Sequence, residues 1–500
     1  MKEVKDLQLL IESRYPVIVI ETWEEKRALE LLQRIGMTTS RPVFHWTVTS
    51  GLTRSEFVDA PAFSDSGEPE QVLQQILKTR QPGIYALCDF HPFLRDDPRV
   101  IRLLKDIALN HDAVSHTLVL ISHELAVPAE IRRCCASFSL ALPDDSQLRA
   151  IVQEEARRWQ QQSGQRVHAK ADVIPRLISN LRGLTRDDAR RLARGAIIDD
   201  NALCEADLPE INRARFDLLD MESVLSFEYD TARFSDVGGL QGLKAWLSRR
   251  RDAFVSGAAQ RDAPKGILLV GVQGGGKSLA AKAVAGLWHL PLLRLDMGAV
   301  YNKFFGESER NLREALALAE TMAPCVLWID EIEKGIASGD NDGGTSRRVL
   351  GSLLTWMAER KSPVFLVATA NEIDRLPPEL IRKGRMDEIF FVDLPSADVR
   401  EDIFGIHLRL RDQEPQRFDL TMLADASEGF TGAEIEQAIV SALYNARARA
   451  LALSSALLLE EIGSTVPLSI TMAERIAALR HWCHGRAVPA DGLPFAGEVS

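Results

Sequence analysis

The chain has 500 residues, 26% charged and 46% hydrophobic, with a formal net charge of −11 at pH 7. At roughly 150 residues per domain it has room for about three packed cores. Six cysteines, no low-complexity tract and no collagen period exclude disulfide-scaffold, disordered and fibrous classes, and the acidic balance argues against a broad polyanion-binding face.

Residues 1–22 interleave acids with apolar residues, a pattern unlike a signal peptide. The longest apolar stretch, 450–459, falls short of the roughly 20 residues that span a bilayer. A cytoplasmic protein without a membrane partner is expected. The first predicted strand, Pro16 to Ile20, runs into Glu21-Thr22-Trp23-Glu24-Glu25-Lys26-Arg27, which contains no glycine. Further apolar strands are predicted at Gly83 to Cys88, before Asp89-Phe90, and at Thr117 to Ser122. The nearest approach to a zinc-protease helix, His123-Glu124, has no second histidine, so zinc proteolysis is rejected. From Asn201 to Arg233 a helical pattern carries Glu205, Asp207, Glu210, Asp217, Asp220 and Glu222, and reads as a solvated connector.

The strongest motif follows the predicted strand Ile267 to Val270. Gly271-Val272-Gln273-Gly274-Gly275-Gly276-Lys277-Ser278 fits G-x-x-x-x-G-K-[ST] and opens a helix at Leu279. Glycines let the backbone curl its N–H groups toward phosphate oxygens, and the helix N-terminus adds positive field. Lys277 would reach the β- and γ-phosphates of ATP, and the Ser278 hydroxyl would ligate Mg²⁺. A second strand, Cys325 to Ile329, ends in Asp330-Glu331, which suits Asp330 to the metal and Glu331 to water activation. A third, Val364 to Ala368, leads to Asn371, where an amide can orient water near the γ-phosphate. Alone, such an Asn is usually a turn residue.

In this order the motifs resemble the AAA+ ATPases of the ring-forming protein-remodelling clade, from Phe234 to about Arg449. The resemblance implies that Asp236-Val237-Gly238-Gly239 lies against adenine, and that His407 sits near the base. It implies that Gly432-Ala433 is the second sensor. It also implies that Arg382 and Arg385 are arginine fingers for a neighbouring subunit, and that Phe304 is the pore-loop residue gripping polypeptide. Phe305 departs from the small aliphatic usual beside it. A homo-oligomeric ring, a hexamer, and an unidentified protein substrate follow from the same resemblance.

The first half repeats these landmarks without the chemistry. Pro16 to Ile20 echoes the phosphate-loop strand, and Asp89 echoes Asp330 with Phe90 in place of the second acid. Leu142-Pro143-Asp144-Asp145 parallels Leu394-Pro395-Ser396-Ala397, and Gly183-Leu184-Thr185 parallels Gly429-Phe430-Thr431. Asp89 is assigned no role. A faded copy before an active module is similar to a group of AAA proteins found in cyanobacteria, plastid genomes and other bacteria.

The expected fold is therefore α/β. Residues 1–200 form a degenerate, doubly wound AAA-like domain that binds no nucleotide, and 201–232 a helical linker. Residues 233–395 form the P-loop AAA+ domain, 396–460 a small α-helical lid, and 461–500 a last helix and flexible tail. The lid helix is expected to run on past Arg449 through Leu459, and the tail to be poorly ordered after Gly485. His481, Cys483 and His484 splay around a helix and are rejected as a metal site. The function read from these features is ATP hydrolysis that remodels or threads a protein substrate. The alternative is an ATP-gated scaffold that assembles without threading. Nucleic-acid binding is disfavoured.

Overall fold

The computed structural model describes residues 2–54, 66–95, 97–170, 173–219, 224–228, 237–255, 263–300, 307–336, 345–382 and 384–492. The chain divides into two units, residues 1–165 with 183–195, and residues 166–182 with 196–500.

In the first unit, runs of β-branched and leucine residues form β1 (Val17–Glu21), β2 (Val43–Thr47), β3 (Gly51–Arg54), β4 (Ile84–Cys88), β5 (Thr117–Ser122) and β6 (Cys135–Phe138). The sheet order is β3-β2-β4-β5-β1-β6, parallel except for the β2–β3 pair. Alternation decides the two faces: Val17, Val19, Leu118 and Leu120 pack with Trp46 and Leu73, while Ile18, Ile20, Val119 and Ile121 pack with Leu32 and Ile35.

The second unit begins with a ribbon of β7 (His168–Ala169) and β8 (Ala202–Leu203). Its main sheet contains β9 (Leu225–Glu228), β10 (Gly266–Gly271), β11 (Leu292–Leu295), β12 (Cys325–Ile329), β13 (Val364–Ala370), β14 (Glu388–Val392) and β15 (Val488–Pro489). The order is β15-β14-β10-β13-β12-β11-β9. Strands β14-β10-β13-β12-β11 thus repeat the order β6-β1-β5-β4-β2 of the first unit. The doubly wound copy expected from the first half is present as topology.

Helices Ala397–Arg409, Leu420–Ala426, Gly432–Ala448 and Ser455–Ser464 enclose Phe404, Leu423, Phe430, Ile435, Ile439 and Leu458 as the lid core. Thr431 caps the third with a reciprocal Thr431–Glu434 box. The lid helix does not run on through Leu459. It ends at Ala448, Ala450 turns left-handed at φ 53, and Ser454 caps a fresh helix.

Two further expectations are corrected. The connector is helical over Asp207–Leu219, but it is not simply solvated: Leu208, Ile211, Arg215 and Phe216 are buried, and Phe216 joins the core of the second unit. Acids Glu205, Glu210 and Asp217 stay on the exposed face, so a charge count hid an apolar stripe at helical spacing. The Arg215 guanidinium donates to the carbonyls of Thr321 and Met322, and burial lowers its pKa to about 10. The tail is likewise tied into the sheet over residues 488–490. β15 pairs with β14, the Ala490 N–H donates to the Phe391 carbonyl at 2.8 Å, and the Leu243 N–H donates to the Ala490 carbonyl at 2.9 Å. Free backbone at the sheet edge gives Gly- and Pro-rich chain a partner that composition alone does not reveal.

Candidate active site

The loop after β10 turns back on itself through Gly274 (φ 76) and Gly276 (φ 90), conformations that disfavour a side chain, and helix Lys277–Trp288 starts directly after it. Gly271 is needed for a different reason. A Cβ there would stand 2.1 Å from the Val392 carbonyl oxygen of β14.

This loop lies on the floor of a cavity of about 610 Å³. Gly238, Gly274, Gly275, Gly276, Lys277, Ser278, Leu279, Asp330, Glu331, Asn371, His407, Gly432 and Ala433 of the predicted set line it together. Its far end is apolar, with Val237, Leu240, Ile403, Ile406 and Leu410 around His407. Burial lowers the pKa of His407, Glu436 at 3.7 Å raises it and Arg411 lowers it. The lid contacts the loop directly, since the Ala433 N–H donates to the Gly274 carbonyl at 3.3 Å.

At the polar end the acids are held from behind. The Thr369 hydroxyl donates to Asp330 Oδ1 at 2.6 Å and accepts from the Glu331 N–H at 2.9 Å. The Asn371 amide donates to Glu331 Oε1 at 2.9 Å, and Glu331 takes a left-handed backbone at φ 47. Lys334 pairs with its other oxygen. Ser278 Oγ lies 3.3 Å from Asp330 Oδ1. A hydroxyl beside a carboxylate is a hard oxygen donor set that fits Mg²⁺. Buried Glu333 accepts from the Asn371 N–H at 2.9 Å, and burial raises its pKa. The Lys277 ammonium is folded onto the carbonyls of Gly271 and Val272 at 2.9 and 2.8 Å. Burial pushes its pKa down to about 8, against the pull of Glu333, Asp330 and Glu331.

Arg382 and Arg385 line no part of this cavity. Arg382 is exposed beyond the short helix Pro378–Ile381, and Arg385 donates to the Glu379 carbonyl. Asp236 and Phe304, with Phe305, lie outside the described residues. Motif reading missed Thr369, Glu333, Asp393 and Asp491. Asp393 lines the cavity and is gripped by the Arg480 guanidinium at 2.8–3.0 Å, and Asp491 closes the apolar end by accepting from the Leu240 N–H. Only Thr369 carried a sequence signal, its place two residues before Asn371.

Among the described residues, the first unit shows no such loop. Between β1 and helix Glu25–Thr39 lie only residues 22–24, against 272–276 in the second unit. The buried Glu24 carboxylate accepts from Arg27 at 2.6 Å and from the Arg186 N–H at 2.9 Å. Arg186 follows Thr185 as Gly432 follows Thr431, so an acid stands where the second unit presents a loop to its lid.

Residues 267–394 match the family described as ATPase family associated with various cellular activities (AAA). Residues 3–140 and 146–222 match the N-terminal and second domains of SpoVK-like AAA ATPases. The AAA domain-containing protein ycf46 of Guillardia theta is 36% identical over 490 residues, 96% of this chain and 95% of that protein. The chain belongs to the ycf46 family of AAA ATPases. The ycf46 protein of Pyropia yezoensis is 36% identical over 500 residues, covering 97% of this chain and 99% of its own length. The proteasome-activating nucleotidase of Aeropyrum pernix is 36% identical over 293 residues, 56% of this chain and 70% of that one. Like other AAA proteins, this ycf46 relative is a nucleotide-binding ATPase. Among the described residues, no single helix is long and apolar enough to cross a membrane.

Proposed function

We propose that the chain works as a cytoplasmic homo-oligomeric ring, a hexamer, that uses ATP hydrolysis to remodel or thread a protein substrate. The observation that carries the catalytic part is the Asn371–Glu331–Thr369–Asp330 chain of hydrogen bonds beside Lys277 and Ser278. Backbone N–H groups of the loop and the helix start at Lys277 would receive the phosphates. Lys277 would leave its two carbonyls to pair with them. Glu331, aimed by Asn371, would polarise the attacking water. Ser278 and Asp330 would hold Mg²⁺, which when bound neutralises developing phosphate charge. Adenine would lie among Gly238, His407 and the apolar residues around them, with Asp236 at the entry.

The ring is supported by the arginine pair, which lines no part of the cavity described above. A neighbour's Arg382 and Arg385 would complete the site, an effect worth on the order of 10³ to 10⁵ in related phosphoryl transfers. Likeness to a proteasome-activating nucleotidase supports a protein as the object of the work, with Phe304 as the contact. Nucleic acid and membrane are not proposed as partners.

The test is the solution mass of Glu331→Gln with and without ATP and Mg²⁺. A ring-sized particle that forms with ATP and turns over poorly is expected. A monomer in both states would overturn the shared site and favour an ATP sensor or a missing partner.

A further inference from the structure

The first unit has lost the phosphate loop, yet the ends of β4 and β5 still converge on a group of side chains. Asp89, directly after β4, adopts φ 49, nearly the left-handed φ 47 of Glu331 after β12. His123 directly follows β5, as Asn371 directly follows β13. Sequence order matches Asp89 with Asp330, whereas backbone conformation matches it with Glu331. The positions that hold Glu331 and Asn371 in the second unit therefore hold Asp89 and His123 in the first, and His91 joins them. Ligand atoms of Asp89, His91 and His123 all lie within 4.8 Å of one another.

The surroundings favour ligation. The Ser122 hydroxyl is 2.7 Å from His91 Nδ1, a contact that orients the ring and leaves Nε2 for another partner. The same hydroxyl lies 3.5 Å from Asp89 Oδ1. Trp23 stacks on His123 with ring centroids 4.6 Å apart and 24° between planes, which fixes that ring and covers one of its faces. The two imidazoles meet edge to face at 4.8 Å. The backbone also aims the carboxylate, since the Asp89 N–H is tied to the Ile121 carbonyl at 2.9 Å.

We propose that Asp89, His91 and His123 bind a divalent first-row transition-metal ion at the vestigial nucleotide site of the first unit. Two imidazoles and one carboxylate select Zn²⁺, Co²⁺, Ni²⁺ or Fe²⁺ over the hard cations Mg²⁺ and Ca²⁺, which prefer oxygen. Three protein ligands at the exposed end of a sheet leave coordination positions open to water. The site is separate from the Ser278–Asp330 pair, because it belongs to another unit and another ligand chemistry.

The test uses the full chain with excess Mg²⁺ to occupy the oxygen site. Zn²⁺ binding is followed by equilibrium dialysis, and Co²⁺ binding by its visible absorption. The expected result is that His91→Ala/His123→Ala binds one equivalent fewer of Zn²⁺ and loses the Co²⁺ band, while ATP hydrolysis is unchanged. Ser122→Ala, which spares all three ligands, should weaken Zn²⁺ by about 10- to 100-fold. Asp89→Asn provides a variant that keeps both imidazoles, and its affinity should also fall at least about tenfold. Identical Zn²⁺ isotherms for wild type, the double variant and Asp89→Asn would overturn the proposal and leave the trio as a polar remnant.

Discussion

Binding of ATP should place a proton on the protein, in an amount set by Lys277. The Lys277 ammonium is enclosed, bonded to the Gly271 and Val272 carbonyls, and burial lowers its pKa from 10.5 to about 8. A polyphosphate beside it favours the charged form and lifts the pKa well above assay pH. At pH 8 about half of the free protein's Lys277 is neutral, so about half a proton is taken up per ATP. At about pH 7 the uptake falls to about a tenth, and at about pH 9 it rises to about nine-tenths. The phosphate itself contributes little at about pH 8 and above, because a secondary phosphate titrates near about pH 6. Calorimetric titration of ATP in two buffers of different ionisation enthalpy counts the protons. Above pH 8 the apparent affinity should fall by about tenfold per pH unit. The stability of the free protein moves the opposite way with pH. Its folded pKa lies below the unfolded one, so the cost of burying the charge is present below about pH 8 and is lost as pH rises toward 10.5. Tight binding at pH 8 with no proton uptake would refute the reasoning, because the enclosed ammonium would then be charged already.

Two further outcomes can be checked with ordinary assays. Thr369→Val keeps the shape but removes the hydroxyl that touches both Asp330 and Glu331. Phosphate release should fall by about 10²-fold with ATP still bound, and denaturant unfolding should show a loss of about 1–3 kcal/mol for the orphaned groups. Wild-type turnover would remove Thr369 from the site. Truncation after Arg486 deletes β15 and its bonds to Phe391, Leu243 and Leu240. At about 1 kcal/mol per bond, stability should drop by about 3 kcal/mol, and ATP affinity should fall with it. Unchanged thermal unfolding and ATP titration would show the strand to be decorative.

What was legible in the sequence was what is local. Gly271 to Ser278 could be read because a phosphate loop is one contiguous turn whose glycines and lysine must sit at fixed spacing. Asp330, Glu331 and Asn371 could be read because each closes an apolar strand. Asp393 and Asp491 could not, since their meaning comes from Arg480 and Leu240, partners far away along the chain. The connector was misread for a related reason: its acids dominate the composition, whereas Phe216 and Arg215 decide where the helix lies. His91 and His123 carry no motif spacing. They come together only because β4 and β5 are neighbours in the sheet.

The edge strand β15 also bears on how the protein is made. Its partners, the sheet at Phe391 and the turn at Leu240–Leu243, precede it in the chain by long stretches. On a ribosome working from the N-terminus, the glycine-rich loop at Gly271–Ser278 emerges long before Ala490 and Asp491. A nascent chain that ends before these residues therefore lacks Asp491 from the cavity lining until synthesis reaches it. Closing so distant a contact carries a loop-entropy cost that local turns such as the one at Gly271–Ser278 do not.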